Sequence, residues 1–75
     1  MKIGTVSGSV WATKKAPGLT GYSLLTVTVG NDTMVAADFV GAGQGDRVLL
    51  ITGGAARMGD DALPIDAAIV GILDP

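Results

Sequence analysis

The chain has 75 residues and a net charge of −2, with seven Asp but no Glu, Cys or His. This length allows a single domain, residues 1–75, and the missing Cys and His exclude disulfides and the usual zinc and transition-metal sites. The weakly acidic balance gives no basic footprint for nucleic acid and no polybasic segment for an anionic membrane.

The predicted elements of the first half are strands. Residues 2–13 form the first, because Ile, Val, Thr and Trp are frequent there. Residues 14–21 are loop, since a Pro-Gly pair interrupts them. Residues 22–29 alternate in side-chain character, which is typical of a second strand. Residues 33–39 form the third, and the short turn at residues 30–32 predicts a hairpin between strands two and three.

The second half continues the pattern. Residues 47–52 are a short apolar strand that ends at a glycine pair, and residues 55–58 form at most one helical turn. Residues 65–73, rich in Ile and Val after a proline, form the last strand. Five closely spaced strands and many glycines predict an all-β fold, a small closed or partly closed barrel.

The glycines at residues 41–45 resemble a phosphate-binding loop at first sight. A dinucleotide-binding loop needs a helix after its glycines, so that the helix N-terminus meets the phosphates. Here a strand follows, at residues 47–52, and no Gly-Lys-Ser/Thr motif is present. We therefore expect a structural corner at this loop.

The sequence contains few groups suited to catalysis. Without His, Cys or Glu, the groups left for catalysis are those of Ser, Lys, Asp and Tyr. A pair of carboxylates would need two Asp residues that converge on a pocket, yet the Asp residues are scattered singly apart from Asp60 and Asp61. We therefore predict that the protein is not an enzyme. Asp66 can accept backbone N–H groups, pair with Arg57 or remain solvated at a turn. Arg57 can bind carbonyls or a neighbouring subunit's carboxylate, or lie exposed as a surface charge.

Nucleic-acid binding is the alternative function that a five-stranded barrel raises. An OB-fold that binds single strands stacks bases on aromatic side chains in a basic groove. This chain has one Trp, one Tyr and one Phe, and its only basic cluster is Lys14 and Lys15. Trp11 is therefore expected in the core or at an interface.

Composition also predicts self-association. Hydrophobic residues make up 48% of the chain. A domain this small has a marginal core, and without disulfides or metals it can gain stability by burying surface against other subunits. We therefore expect a homo-oligomer. No apolar run approaches the length of a membrane span and no signal peptide is evident, so we expect a cytoplasmic protein.

Several short motifs follow one another in a specific order along nearly the whole chain. They are MKI at 1–3, GSVWAT at 8–13, LTG at 19–21, LL at 24–25, VAAD at 35–38, VGAG at 40–43, VL at 48–49, GAAR at 54–57 and PIDAAIVGILD at 64–74. Together they resemble the EutN/CcmL family, the vertex proteins of bacterial microcompartments. The turn at residues 30–32 and the loop at residues 58–63 are shorter than is common in that family, and many members continue past the last strand.

The resemblance implies a five-stranded OB-like β-barrel that assembles as a homopentamer. Such pentamers cap the vertices of a polyhedral shell and contact its hexameric and pseudo-hexameric proteins, without a cofactor. A cyclic head-to-tail interface that closes after five copies would form the ring. The expected subunit contact comprises Thr13, Lys14, Gly53, Gly54, Ala55, Ala56, Arg57 and Asp66.

Overall fold

Five strands form a closed barrel in the computed structural model, which describes residues 1–75. They are β1 (Lys2–Val10), β2 (Ser23–Val29), β3 (Asp32–Asp38), β4 (Arg47–Thr52) and β5 (Ala67–Ile72). Their order around the barrel is β1-β2-β3-β5-β4, and every neighbouring pair is antiparallel except β3 and β5. The predicted five-stranded barrel and the β2–β3 hairpin are confirmed.

Two short 3₁₀ turns complete the fold. The first covers Pro17–Leu19, within the segment predicted as loop, and the second covers Gly53–Arg57, two residues earlier than the predicted helical turn begins. Proline fixes a helical φ at the first position of a turn, and Pro17 therefore explains why this loop contains a 3₁₀ turn. Neither turn has the length or the apolar character that crossing a bilayer would require.

The barrel interior is a small apolar core to which all five strands contribute. No polar or charged residue is buried there. Gly4 allows β1 to lie close to β2, because a Cβ at this position would come within 2.6 Å of Val27 Cγ1 and 2.9 Å of Thr28 O. The core side chains are those of Val6, Leu25, Val27, Ala36, Val48, Leu50, Ala67 and Ile69.

The first strand is shorter than predicted. β1 ends at Val10, which pairs with Leu24, and β2 begins at Ser23, so almost no strand remains opposite the following residues. On its other side, β4 pairs only with residues 2–5. Residues 11–13 therefore have β-type side chains but no neighbouring strand within their own chain, which is why the prediction of strand up to residue 13 is wrong.

The closure between β3 and β5 is also short. Only two residue pairs join these strands, Ala37 with Ala68 and Asp38 with Ile69. β5 begins at residue 67, two residues later than predicted. The edge of β3 that faces away from β2 is therefore without a strand partner over residues 32–36, and we call this segment the free edge of β3.

Candidate subunit contact

The glycine-rich loop at residues 41–45 is held by carboxylates of its own chain. Asp38 accepts hydrogen bonds from the backbone N–H groups of residues 40–42 at 2.9–3.1 Å, and Asp46 accepts one from Gly43 at 2.9 Å. These are the N–H groups that a phosphate would need. Because carboxylates already occupy them, the loop is a structural corner, as its sequence context predicted.

The second 3₁₀ turn forms the other glycine-rich corner, which we call the glycine corner (Gly53–Arg57). It is tied to the start of β5 because the Gly53 N–H donates to the Asp66 carbonyl oxygen at 2.8 Å. Ala56 is fully buried, so the turn packs firmly onto the barrel. Gly53, Gly54 and Ala55 are exposed. The corner thus presents a surface made almost entirely of backbone.

Gly54 has no evident reason to be glycine within its own chain. Its φ is not positive, and a Cβ added to it would meet no atom within 4 Å. Gly4 is different, because β2 occupies the space where its side chain would be. A glycine that its own chain does not require is consistent with a second molecule that approaches the backbone closely.

Arg57 is half-buried and lacks a partner in the single chain. Its Nε atom is shielded from solvent and donates to no acceptor, and no ion pair joins it to Asp66. The Asp66 side chain is exposed and accepts no hydrogen bond from backbone N–H groups. In the isolated chain, the Asp66 carboxylate is therefore solvated; it neither pairs with Arg57 nor accepts backbone N–H groups.

Thr13 and Lys14 lie after β1 and are exposed. The nearby Lys15 donates from Nζ to the Tyr22 carbonyl oxygen at 3.1 Å. No hydrogen bond connects this segment to the glycine corner or to Asp66 within the chain. Thr13 and Lys14 are therefore available to a neighbouring molecule. A head-to-tail ring contact joins two different patches of the same chain.

An apolar groove on the outside of the barrel was not predicted. It lies between the first 3₁₀ turn, the outer faces of β2 and β3, and the segment that leads into β5, and its volume is about 160 Å³. Outward-facing apolar residues on β2 and β3, where solvent-facing strands usually carry polar ones, were the available signal. The lining residues are Leu19, Leu24, Val35, Ala37, Pro64, Ile65, Asp66 and Ala67.

Sequence comparisons relate this chain to microcompartment shell proteins. The family model described as "Ethanolamine utilisation protein EutN/carboxysome" matches residues 1–74. The carboxysome shell vertex protein CcmL of Thermosynechococcus vestitus is 46% identical over 84 residues, covering 99% of this chain and 84% of that relative. The microcompartment shell vertex protein GrpN of Rhodospirillum rubrum is 41% identical over 83 residues, covering 99% and 93%.

Solved structures give the same relationship. The pentameric microcompartment shell protein GrpN from Rhodospirillum rubrum has a TM-score of 0.89 at 39% identity, covering 100% of this chain and 95% of that one. An ethanolamine utilization protein EutN has a TM-score of 0.92 at 34% identity, covering 99% and 86%. The barrel described above is thus similar over its whole length to barrels of shell proteins.

Proposed function

This chain belongs to the EutN/CcmL family, and we propose that it is a structural shell protein whose pentamers cap the vertices of a polyhedral bacterial microcompartment. The observation that carries this proposal is the full-length match, in sequence and in fold, to shell vertex proteins, one of them described as pentameric. Relatives named as vertex proteins come from both carboxysomes and other microcompartments.

The function follows from shape. A flat sheet of hexagonal units closes into a polyhedron only where five-fold units introduce curvature. A chain with two different complementary patches forms a closed ring when the rotation between neighbours brings the last copy back to the first. The function therefore depends on the contact surfaces of the subunit. No side chain is assigned a catalytic role, in keeping with relatives named as shell proteins.

For the subunit contact, we propose that Thr13 and Lys14 of one subunit meet the glycine corner and Asp66 of the next. The exposed backbone at Gly53 and Gly54 supports this, since it permits close approach. Arg57 supports it as well, because a shielded donor without an acceptor costs about 1–3 kcal/mol. A carbonyl oxygen or carboxylate of the neighbouring subunit would supply that acceptor.

The outer rim of the pentamer is proposed to contact hexameric shell proteins. This places the protein within the microcompartment shell, in the cytoplasm of a bacterial cell. The pentamer would occupy sites that hexamers cannot fill, because six-fold units tile a plane without closing it.

The alternative function, binding of single-stranded nucleic acid, receives no support from the relatives described above. Single-strand binding uses several aromatic platforms in succession. In this chain the Tyr22 and Phe39 rings pack against each other, with centroids 5.4 Å apart, so that Trp11 is the only strongly exposed aromatic side chain. One platform beside two lysines does not make a binding track.

Native mass spectrometry tests the pentamer. The expected particle has five times the mass of the 7.5 kDa chain, about 37.5 kDa. A monomer or dimer across a wide range of concentrations would contradict the proposal.

Vertex capping is tested by producing a hexameric shell protein with and without this chain. Closed polyhedra are expected only with it, and open sheets or tubes in both cases would contradict the capping role.

A further inference from the structure

Trp11 is the most exposed large apolar side chain of the molecule. It is the only tryptophan, it follows the last residue of β1, and 91% of its surface is accessible in the single chain. A buried aromatic side chain removes about 150–250 Å² from water, so burying Trp11 once per subunit would be a large gain in a ring of five. Nothing in its own chain covers it.

The backbone around Trp11 is also without partners. None of residues 11–15 takes part in a backbone–backbone hydrogen bond. Trp11 and Thr13 are nevertheless residue types that favour a strand, which is why the sequence predicted one up to residue 13. Residues 11–13 therefore combine two strand-forming side chains with free backbone groups that can pair.

The apolar groove has the complementary properties. Its volume of about 160 Å³ resembles that of an apolar cavity able to hold a benzene ring, about 150 Å³. Val35 lies in it and is 47% exposed. The residue belongs to the free edge of β3 (residues 32–36), where no strand pairs on the outer side. The groove is thus an apolar binding site for a side chain, and it lies beside backbone groups of β3 that have no strand partner.

We propose that Trp11 of one subunit inserts into the apolar groove of its neighbour, with residues 11–13 lying along the free edge of β3. This inference rests on the proposed pentamer, whose head-to-tail interface requires one projecting and one receiving patch on every chain. Addition of a segment to an open sheet edge, with side chains in adjoining pockets, is a recurring mode of recognition.

The position of the groove favours a second copy of this chain as its occupant. Asp66 lines the groove, and its carbonyl oxygen is bonded to Gly53, so the groove is continuous with the glycine corner already proposed as contact surface. The charges agree as well. Lys14 and Lys15 lie close to Trp11 in sequence, whereas Asp66 carries the opposite charge at the groove.

Trp11 itself reports on this contact. In the pentamer its fluorescence emission is expected at shorter wavelength than in the dissociated or unfolded chain. Val35→Asp should move the emission back to that of a water-exposed indole and weaken assembly at least about tenfold. Val40→Asp is the matched control, since Val40 is 42% exposed but does not line the groove. It should leave both measurements near those of the unmodified protein.

Pairs of introduced cysteines test directly whether Trp11 lies in the groove of the neighbouring subunit. The chain has no cysteine of its own, so any disulfide must join the introduced residues. After oxidation, the double variant Trp11→Cys with Val35→Cys should form disulfides between neighbouring subunits. Non-reducing electrophoresis should then show a ladder of linked chains that ends at a closed ring of five. Trp11→Cys combined with Val40→Cys should not. Both side chains of the test pair are exposed, so the barrel itself should tolerate the changes.

Failure of this inference is distinguishable from failure of the pentamer. If the unmodified protein has the mass of five chains but Trp11 emits as in water, or the ladder appears with Val40→Cys or with neither pair, the seat for Trp11 is wrong and the pentamer stands. If the unmodified protein is not a pentamer, both proposals are wrong.

Discussion

The two glycine-rich corners of this barrel differ in how they satisfy their polar groups. At the loop of residues 41–45, the carboxylates of Asp38 and Asp46 accept hydrogen bonds from the four backbone N–H groups of residues 40–43. In the glycine corner, only backbone bonds are present, and the Arg57 Nε atom has no acceptor. The first corner is complete in a single chain, and the second is complete only if a partner contributes.

The two corners therefore differ in whether their own chain or a neighbouring subunit would complete their hydrogen bonds. Polar groups that are satisfied internally indicate a segment that serves the subunit's own stability. An exposed glycine without a local reason, Gly54, next to a guanidinium without an acceptor, is what the proposed subunit contact would explain. Substitutions in the loop should therefore change unfolding of the subunit, and substitutions in the glycine corner should change association. Thermal unfolding measured over a range of protein concentrations separates these two effects, because only association depends on concentration.

Gly54→Leu should disrupt assembly more strongly than any other single substitution. Within one chain the new side chain meets open space, so the subunit should fold as before. In the ring it would overlap the neighbouring subunit, at a cost of about 1–3 kcal/mol at each of five contacts. Native mass spectrometry should then detect folded monomers. Gly43→Leu is the control in the loop and should remain pentameric. A stable Gly54→Leu pentamer would show that no neighbour lies over this residue.

Asp38→Ala should have the largest effect on the subunit itself. The substitution removes the acceptor of three backbone N–H groups, and a hydrogen bond to a charged group contributes about 1.5–3 kcal/mol. We expect the free energy of unfolding to fall by about 2 kcal/mol or more, measured by urea denaturation at a concentration where the subunits are dissociated. Asp38→Asn, which keeps one acceptor oxygen, should lose less. Equal losses in both variants would mean that these hydrogen bonds do not stabilise the loop.

Arg57→Ala should act mainly on association. Removing the guanidinium deletes a donor that we propose is paired across the interface, and the dissociation constant should rise about tenfold, equivalent to about 1.4 kcal/mol. Arg47→Ala is the matched control, because Arg47 is exposed at the start of β4. Sedimentation at serial dilutions measures both. An Arg57→Ala pentamer as stable as the Arg47→Ala pentamer would remove Arg57 from the contact and leave the other contact residues in place.

Most of the fold was predictable because it depends on side-chain periodicity. The alternation along residues 22–29 predicted a strand with two faces, and the structure places Leu25 and Val27, which share one face, in the core. The end of β1 was not predictable, since residues 11–13 are as suited to a strand as those before them. Their structure is decided by how far β2 extends opposite them, a non-local property that no local pattern contains.

The candidate contact was predictable only in outline. The exposed small residues of the glycine corner were identified through a family resemblance, and the groove around Val35 was not identified at all. A groove is formed by segments distant in sequence, here the first 3₁₀ turn and the residues before β5. The sequence also does not distinguish glycines that adopt positive φ from those that do not. Gly53 and Gly54 are neighbours in sequence, yet only Gly53 has a positive φ.

Alanine in place of a positive-φ glycine, one in each corner, should change stability only slightly. Gly45 has a φ of 90° and Gly53 a φ of 71°, and neither has an atom within 4 Å of an added Cβ. Alanine at either position should destabilise the subunit by about 1 kcal/mol, because left-handed backbone is unfavourable for residues with a Cβ. Only Gly53→Ala should also raise the dissociation constant, since its methyl group would face the neighbouring subunit. If the two variants unfold and dissociate alike, the corners are equivalent and the subunit contact lies elsewhere on the barrel.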